Sequence, residues 1–236
     1  MSKDYFEFRR FTVRQDRCAM KVGTDGTLLG AWAGMDRRAG RVLDIGTGTG
    51  LIALMMAQRY PDCRVVAIDI DADAVGQARE NVAASPFAGR IDVVQADIGH
   101  FQSAELYDAI VSNPPFFADS LQSSDGQRTA ARHTESLSYA TLIASAFRLL
   151  ADEGRFSLII PVDCLSRLMA EVHLRGFFIA RRQAVRTIPS KPPKRCLCEF
   201  VKHPVQQVAM QDSVLDISPG VRSSWYQDLT RDFYLR

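Results

Sequence analysis

Between residues 41 and 203, short continuous apolar runs alternate with longer segments in which apolar residues recur every three or four positions. The runs "RVLDIG", "RVVAIDI", "IDVVQADI", "YDAIVSN" and "GRFSLIIP" have the length and unbroken hydrophobicity of strands covered on both faces. "LIALMMAQRY", "ADAVGQARENVAA", "SYATLIASAFRLLAD" and "DCLSRLMAEVHLR" carry the helical period instead. Strands alternating with helices predict βαβ units around a buried parallel sheet. Two more strand-like runs, "FFIARRQAVRTI" and "RCLCEFVKHP", are separated only by the break "PSKPPK", so this pair is predicted antiparallel. The expectation is one α/β domain over 1–236, with its core at 41–203 and appendages at 1–40 and 204–236 that fit the alternation poorly.

The chain has 236 residues, 47% hydrophobic and 24% charged, which is ordinary globular composition. A net charge of +2 licenses no global claim about nucleic acid, but the span 175–203 holds eight Lys and Arg against the single acid Glu199. That span reads either as a solvated face or as a footprint for phosphates. Five cysteines are scattered, and Cys196 and Cys198 fall on one face of a strand with only His203 near as a further ligand. Buried reduced thiols are expected, and no metal. The start "MSKDYFEFRRF" has no long apolar core, so neither signal peptide nor membrane span is expected, and the chain is placed in the cytoplasm.

"VLDIGTGTGLIAL" sets Gly46, Gly48 and Gly50 between the first core strand and its helix. Glycines there permit a tight turn and close approach of a ligand to backbone N–H groups. Asp69 follows at the end of the next strand, where an acid accepts both ribose hydroxyls of an adenosine-containing cofactor. Asp44, two residues before the first glycine, would repel a pyrophosphate yet suits an ammonium and a sulfonium. Asp97 in "VVQADI" stands at a third strand tip, where it either accepts from an adenine amine or serves as a turn residue. Tips of consecutive strands share one crevice in open α/β sheets.

"VSNPPFF" then closes the fourth strand. Pro114 and Pro115 bring no N–H, and each restricts the residue before it, so Asn113-Pro114-Pro115 is a rigid extended stub followed by Phe116 and Phe117. Together "DIGTGTG", "AIDID", "QADI" and "SNPPFF" resemble, in motif order, the class I S-adenosylmethionine-dependent methyltransferases. The resemblance implies a Rossmann-like, seven-stranded sheet, mostly parallel with the last strand antiparallel and helices on both faces. It also implies roles. The glycine loop lies along the methionine part of S-adenosylmethionine, Asp69 holds the ribose, Asp97 faces adenine, and Ile70 and Asn113 border the cofactor. In this family an Asn-Pro-Pro-aromatic element marks methyl transfer to a planar, conjugated nitrogen. Catalysis is therefore expected from Asn113, Pro114, Pro115 and Phe116.

Three acceptors share that chemistry: adenine N6, guanine N2 of ribosomal RNA, and a protein glutamine. The glutamine enzymes carry a larger N-terminal domain than the residues before Asp44 provide, and the guanine enzymes more often show histidine where this chain has Phe117. The ends "RQDRCAMKVGTDGTLLGAW", "PSKPPKRCLCEF" and "YQDLTRDFYL" resemble the bacterial tRNA adenine-N6 methyltransferases that act on position 37 of a valine tRNA. By that likeness Lys21 and Thr24 lie beside the cofactor and close its pocket; Gly26 and Gly76 stand where helix-favouring residues are expected. The partner implied is a tRNA, bound by a chain taken as a monomer. Phe117, Arg128, Arg132, Lys191, Lys194 and Arg195 are the expected substrate contacts, and His133 in the same polar loop is either a proton acceptor or idle. A nicotinamide-dependent oxidoreductase and a non-catalytic binding protein are the rival classes; the first leaves Asn113-Pro114-Pro115 unexplained.

Overall fold

The computed structural model describes residues 4–18, 21–36, 40–115 and 137–235. Phe116, Phe117, Arg128, Arg132 and His133 lie outside the described residues. The strands are β1 (Tyr5–Glu7), β2 (Thr12–Arg14), β3 (Arg41–Ile45), β4 (Arg64–Asp69), β5 (Ile91–Gln95), β6 (Tyr107–Ser112), β7 (Leu150–Pro161), β8 (Phe178–Arg186), β9 (Arg195–Val201), β10 (Ala209–Val214), β11 (Asp216–Ser218) and β12 (Val221–Arg222). The helices are α1 (Thr24–Trp32), α2 (Leu51–Arg59), α3 (Ala72–Ala83), α4 (Tyr139–Leu149), α5 (Leu165–Arg175) and α6 (Ser224–Thr230).

One sheet of eight strands runs β10-β8-β9-β7-β6-β3-β4-β5. Only β9 within it is antiparallel to its neighbours, β7 and β8. The strand order reverses beside β3, which opens a crevice above the C-terminal ends of β3 and β6. Seven of the eight strands are those expected. The eighth, β10, lies in the C-terminal region and extends the sheet beyond β8. Its sequence "AMQDSV" sits at an edge and is mostly exposed, so it has no buried face to impose an apolar alternation.

Side chains along the central strands alternate between two cores. Val42, Val65, Ala67, Ala109, Val111 and Leu197 face the core that α1 and α2 cover. Leu43, Ile45, Ile68, Ile110, Leu158 and Ile160 face the one that α4 and α5 cover. This two-sided burial is why the strands read as continuous apolar runs. Cys196 and Cys198 both face the second core with their sulfurs 3.5 Å apart, and all five cysteines are free thiols.

The two ends meet on the α1/α2 side. Arg9 N donates to Phe233 O at 2.8 Å, Gln58 Nε2 donates to Asp232 O at 2.8 Å, and the Phe8 and Tyr234 rings stack. Asn81 of α3 then fixes the chain after β2: it accepts from Arg14 N and donates to Arg14 O and to Thr49 O in the glycine loop. Helix α1 forms despite two internal glycines because its packing requires them. A Cβ on Gly30 would lie 2.6 Å from Met55 Sδ, and one on Gly26 would lie 3.1 Å from Leu51 Cδ2, so the α1 backbone rests directly on α2. No helix among the described residues is long and apolar enough to cross a membrane.

Candidate active site

The glycine loop joins β3 to α2 and is held from below. Gly46 N and Thr47 N both donate to Ile68 O at 2.9 Å, which ties the loop to the end of β4. Gly46, Gly48 and Gly50 have φ of 72°, 55° and 81°, the left-handed region where any Cβ is strained. Asp44 is fully buried beneath this loop. Its Oδ2 accepts from Thr47 Oγ1 at 2.6 Å and from Ala53 N at 3.1 Å, so it braces the turn and the first turn of α2. Burial pushes its carboxyl up to about 7 against the relief that these two donors give.

Above the loop lies a cavity of about 850 Å³. Of the residues expected there, Gly46, Gly48, Asp69, Ile70, Asp97 and Asn113 line it; Asp44 stands behind the loop and Gly50 lies against Ala78 of α3, neither of them on the wall. Asp69 accepts from Gly48 N at 2.8 Å on one oxygen and from Asp71 N at 3.1 Å on the other. Each oxygen keeps a further lone pair for a hydroxyl donor. Asp97 serves as a turn residue and also faces the cavity. It takes Gly99 N at 2.9 Å and His100 Nδ1 at 2.8 Å, and these donors, Gly99 first, hold its carboxyl below the usual range.

The segment 21–26, with Lys21 and Thr24, also lines the cavity. Pro115 reaches the cavity beside Asn113 at the end of β6, where Ser112 Oγ donates to Ile45 O at 2.9 Å and holds that end against β3. Pro114 is buried and Pro115 exposed. Lys191 and Lys194 are exposed in the β8–β9 turn. Arg195 is not turned out with them: its Nε donates to Asp25 Oδ2 at 2.7 Å. Sequence reasoning missed Cys18, Ile98, Leu137 and Thr141 on the wall. Ile98 follows Asp97 directly, and Ser138 caps α4 by accepting from Thr141 N, a capping signal legible beforehand. Cys18 has no local signal. Burial, with Asp69 next, raises its thiol to about 11, so it is an inert neutral group on the wall.

The model of the methyltransferase small domain family matches residues 26–183, which contain the loop, the acids and the Asn-Pro-Pro stub. The chain belongs to this family. The methyltransferase is 51% identical over 235 residues to the tRNA1(Val) (adenine(37)-N6)-methyltransferase of Phocaeicola vulgatus, spanning 100% of this chain and 99% of the relative. It is 46% identical over 236 residues to the protein of the same name from Bacteroides thetaiotaomicron, again over 100% and 99% of the two chains. Among solved structures, a predicted O-methyltransferase of Agrobacterium tumefaciens superposes with a TM-score of 0.66 at 19% identity, covering 89% of this chain and 96% of that one. That likeness carries the fold alone.

The family's cofactor is S-adenosylmethionine, and the residues present fit it. A Cβ built on Gly46 or Gly48 meets nothing within 4 Å, so the loop leaves an open seat against bare backbone. Asp44 Oδ1 is buried behind the loop with no hydrogen-bond partner among the described residues, an orphaned acceptor beneath that seat. Among the described residues no group of three or more His, Cys, Asp or Glu is arranged to hold a metal ion.

Proposed function

We propose that this methyltransferase transfers a methyl group from S-adenosylmethionine to the exocyclic N6 amine of adenine 37 in the anticodon loop of a valine tRNA. The observation that carries the reading is that Asn113 and Pro115 share one cavity wall with the glycine loop, Asp69 and Asp97. The full-length relatives at 51% and 46% identity support the choice of acceptor. Asp69 holds the ribose, Asp97 with Ile70 and Ile98 takes the adenine of the cofactor, and Lys21 and Thr24 border its amino-acid end.

The cofactor supplies an electrophilic methyl whose leaving group is a neutral thioether. The acceptor amine is a poor nucleophile because its lone pair is delocalised into the ring. Asn113 Oδ1 and the Pro114 carbonyl accept hydrogen bonds from its two N–H groups, draw the nitrogen towards tetrahedral geometry and aim the lone pair across the cavity; once methylated, the nitrogen gives up one of those two protons to solvent. That is catalysis by orientation. The two prolines keep the acceptor oxygens fixed without competing donors. Phe116 and Phe117, next in sequence, offer aromatic faces for a splayed base. Lys191 and Lys194, with Arg128 and Arg132, meet the phosphates, and the work belongs to the cytoplasm as tRNA maturation.

The test uses labelled S-adenosylmethionine and total tRNA from cells lacking the gene, with wild-type and Asn113→Ala proteins. Digested nucleosides carry label in N6-methyladenosine, and Asn113→Ala loses it. Label in a guanosine derivative, or in a release factor with none in tRNA, would overturn the acceptor and leave the cofactor chemistry standing.

A further inference from the structure

Within the wall of residues 21–26, Val22, Gly23 and Thr24 border two cavities. One is the cofactor cavity; the other, of about 910 Å³, is also lined by Phe6, Tyr226, Tyr234 and Arg231. Gly26 packs on Leu51 and Val22 on the core, and polar anchors tie the segment to the rest of the molecule. One lies at its N-terminal side, where Val22 N donates to Gln15 Oε1 at 2.8 Å. The other is Asp25, in the first turn of α1, whose Oδ2 accepts from Arg195 Nε at 2.7 Å. Gly23 O accepts from Thr27 N at 3.3 Å and Thr27 Oγ1 at 3.1 Å, bonds that close the first turn of α1 on itself but do not tie it to the sheet.

Arg195 is well placed to serve as a fixed post. It opens β9, in register with Pro161 of β7 on one side and Val185 of β8 on the other. Its guanidinium also donates to Lys194 O at 3.2 Å, a second bond that restrains the side chain at the strand end. The side chains of Arg195 and Asp25 are 33% and 23% exposed, so the pair is partly shielded from solvent. A charge-assisted bond in that setting is stronger than an exposed pair.

We infer that Arg195 is a positioning residue for the cofactor: through Asp25 it holds the 21–26 wall against the cavity, and it is not a phosphate contact of the tRNA. This rests on the cofactor reading above. It separates Arg195 from Lys191 and Lys194, its neighbours in the basic run.

The test is calorimetric titration of S-adenosylhomocysteine into wild type, Arg195→Ala, Asp25→Asn and the double variant, with binding of a labelled anticodon stem-loop measured alongside. Each single substitution is expected to weaken S-adenosylhomocysteine about tenfold. The double variant binds no more weakly than either single one, because both remove the same bond. In turnover, KM for S-adenosylmethionine rises by a similar factor and kcat changes less, a split that general destabilisation would not produce. The isosteric Asp25→Asn keeps the test open where Arg195→Ala folds poorly. Unchanged S-adenosylhomocysteine affinity in both single variants overturns the inference. So does a loss confined to stem-loop binding in Arg195→Ala, which would make Arg195 a phosphate contact. Failure of wild type to bind S-adenosylhomocysteine overturns the cofactor reading along with it, and is told apart by appearing before any substitution is made.

Discussion

The Gly48 N–H donates to Asp69 Oδ2 at 2.8 Å, which locks the loop after β3 to the tip of β4 on the wall of the cavity. Asp69 Oδ1 takes Asp71 N at 3.1 Å, so each oxygen of one carboxylate faces a backbone donor. Asp69→Asn must present an amide NH2 to one of those donors. Leaving a donor unsatisfied costs roughly 1–3 kcal/mol. S-adenosylhomocysteine affinity is expected to fall about tenfold to a hundredfold. Calorimetry reads this directly, and equal affinity would remove Asp69 from the cofactor site.

Asp44 yields a pH dependence. Its folded carboxyl titrates at about 7, whereas an unfolded aspartate titrates near ~3.9. The folded state therefore keeps this proton over a range in which the unfolded state has lost it, so stability falls as pH rises from about 4 to about 7 and is flat above. The full effect is up to about 4 kcal/mol. Asp44→Asn carries no such charge and is expected to melt higher than wild type at about pH 8, with the gap shrinking towards pH ~4. Thermal unfolding across that range checks it; a gap independent of pH would show that Asp44 does not titrate there.

The α1–α2 contact is sensitive to single atoms. In Gly30→Ala the new methyl would meet Met55 Sδ at 2.6 Å and Met55 Cβ at 2.9 Å, and the second of these cannot swing away. Overpacking costs about 1–3 kcal/mol, offset by the roughly 1 kcal/mol that alanine gains over glycine in a helix. A drop of a few degrees in melting temperature is expected. An equal or higher melting temperature would mean that α2 yields freely.

Lys191→Glu with Lys194→Glu should weaken stem-loop binding and flatten its salt dependence, while S-adenosylhomocysteine affinity stays at the wild-type value. Both side chains are exposed on the β8–β9 turn. Fluorescence titrations at several salt concentrations measure the slope. An unaltered slope would take this turn out of the RNA footprint.

Much of the core was legible. The β3, β4 and β6 runs, the glycines of the loop, and Asp69 and Asp97 at strand tips stand where local pattern placed them, because burial on two faces writes itself into five or six consecutive residues. The extent of helix α1 was not legible, since Gly26 and Gly30 count against a helix until α2 is packed on it. Strand β10 escaped because an exposed edge imposes no period.

By itself the sequence determined the alternation of strands and helices from β3 to β9, the left-handed turns that only glycine tolerates, and the rigid Asn113-Pro114-Pro115 stub. Each of these is decided by forces acting within a few residues. Tertiary structure alone decided that Asp44 braces the loop from behind, that Cys18 reaches the cavity, and that Arg195 turns from its basic neighbours to Asp25, 170 positions away. A side chain's partner is whichever charge or donor the fold brings within about 3 Å, and local pattern carries no record of it.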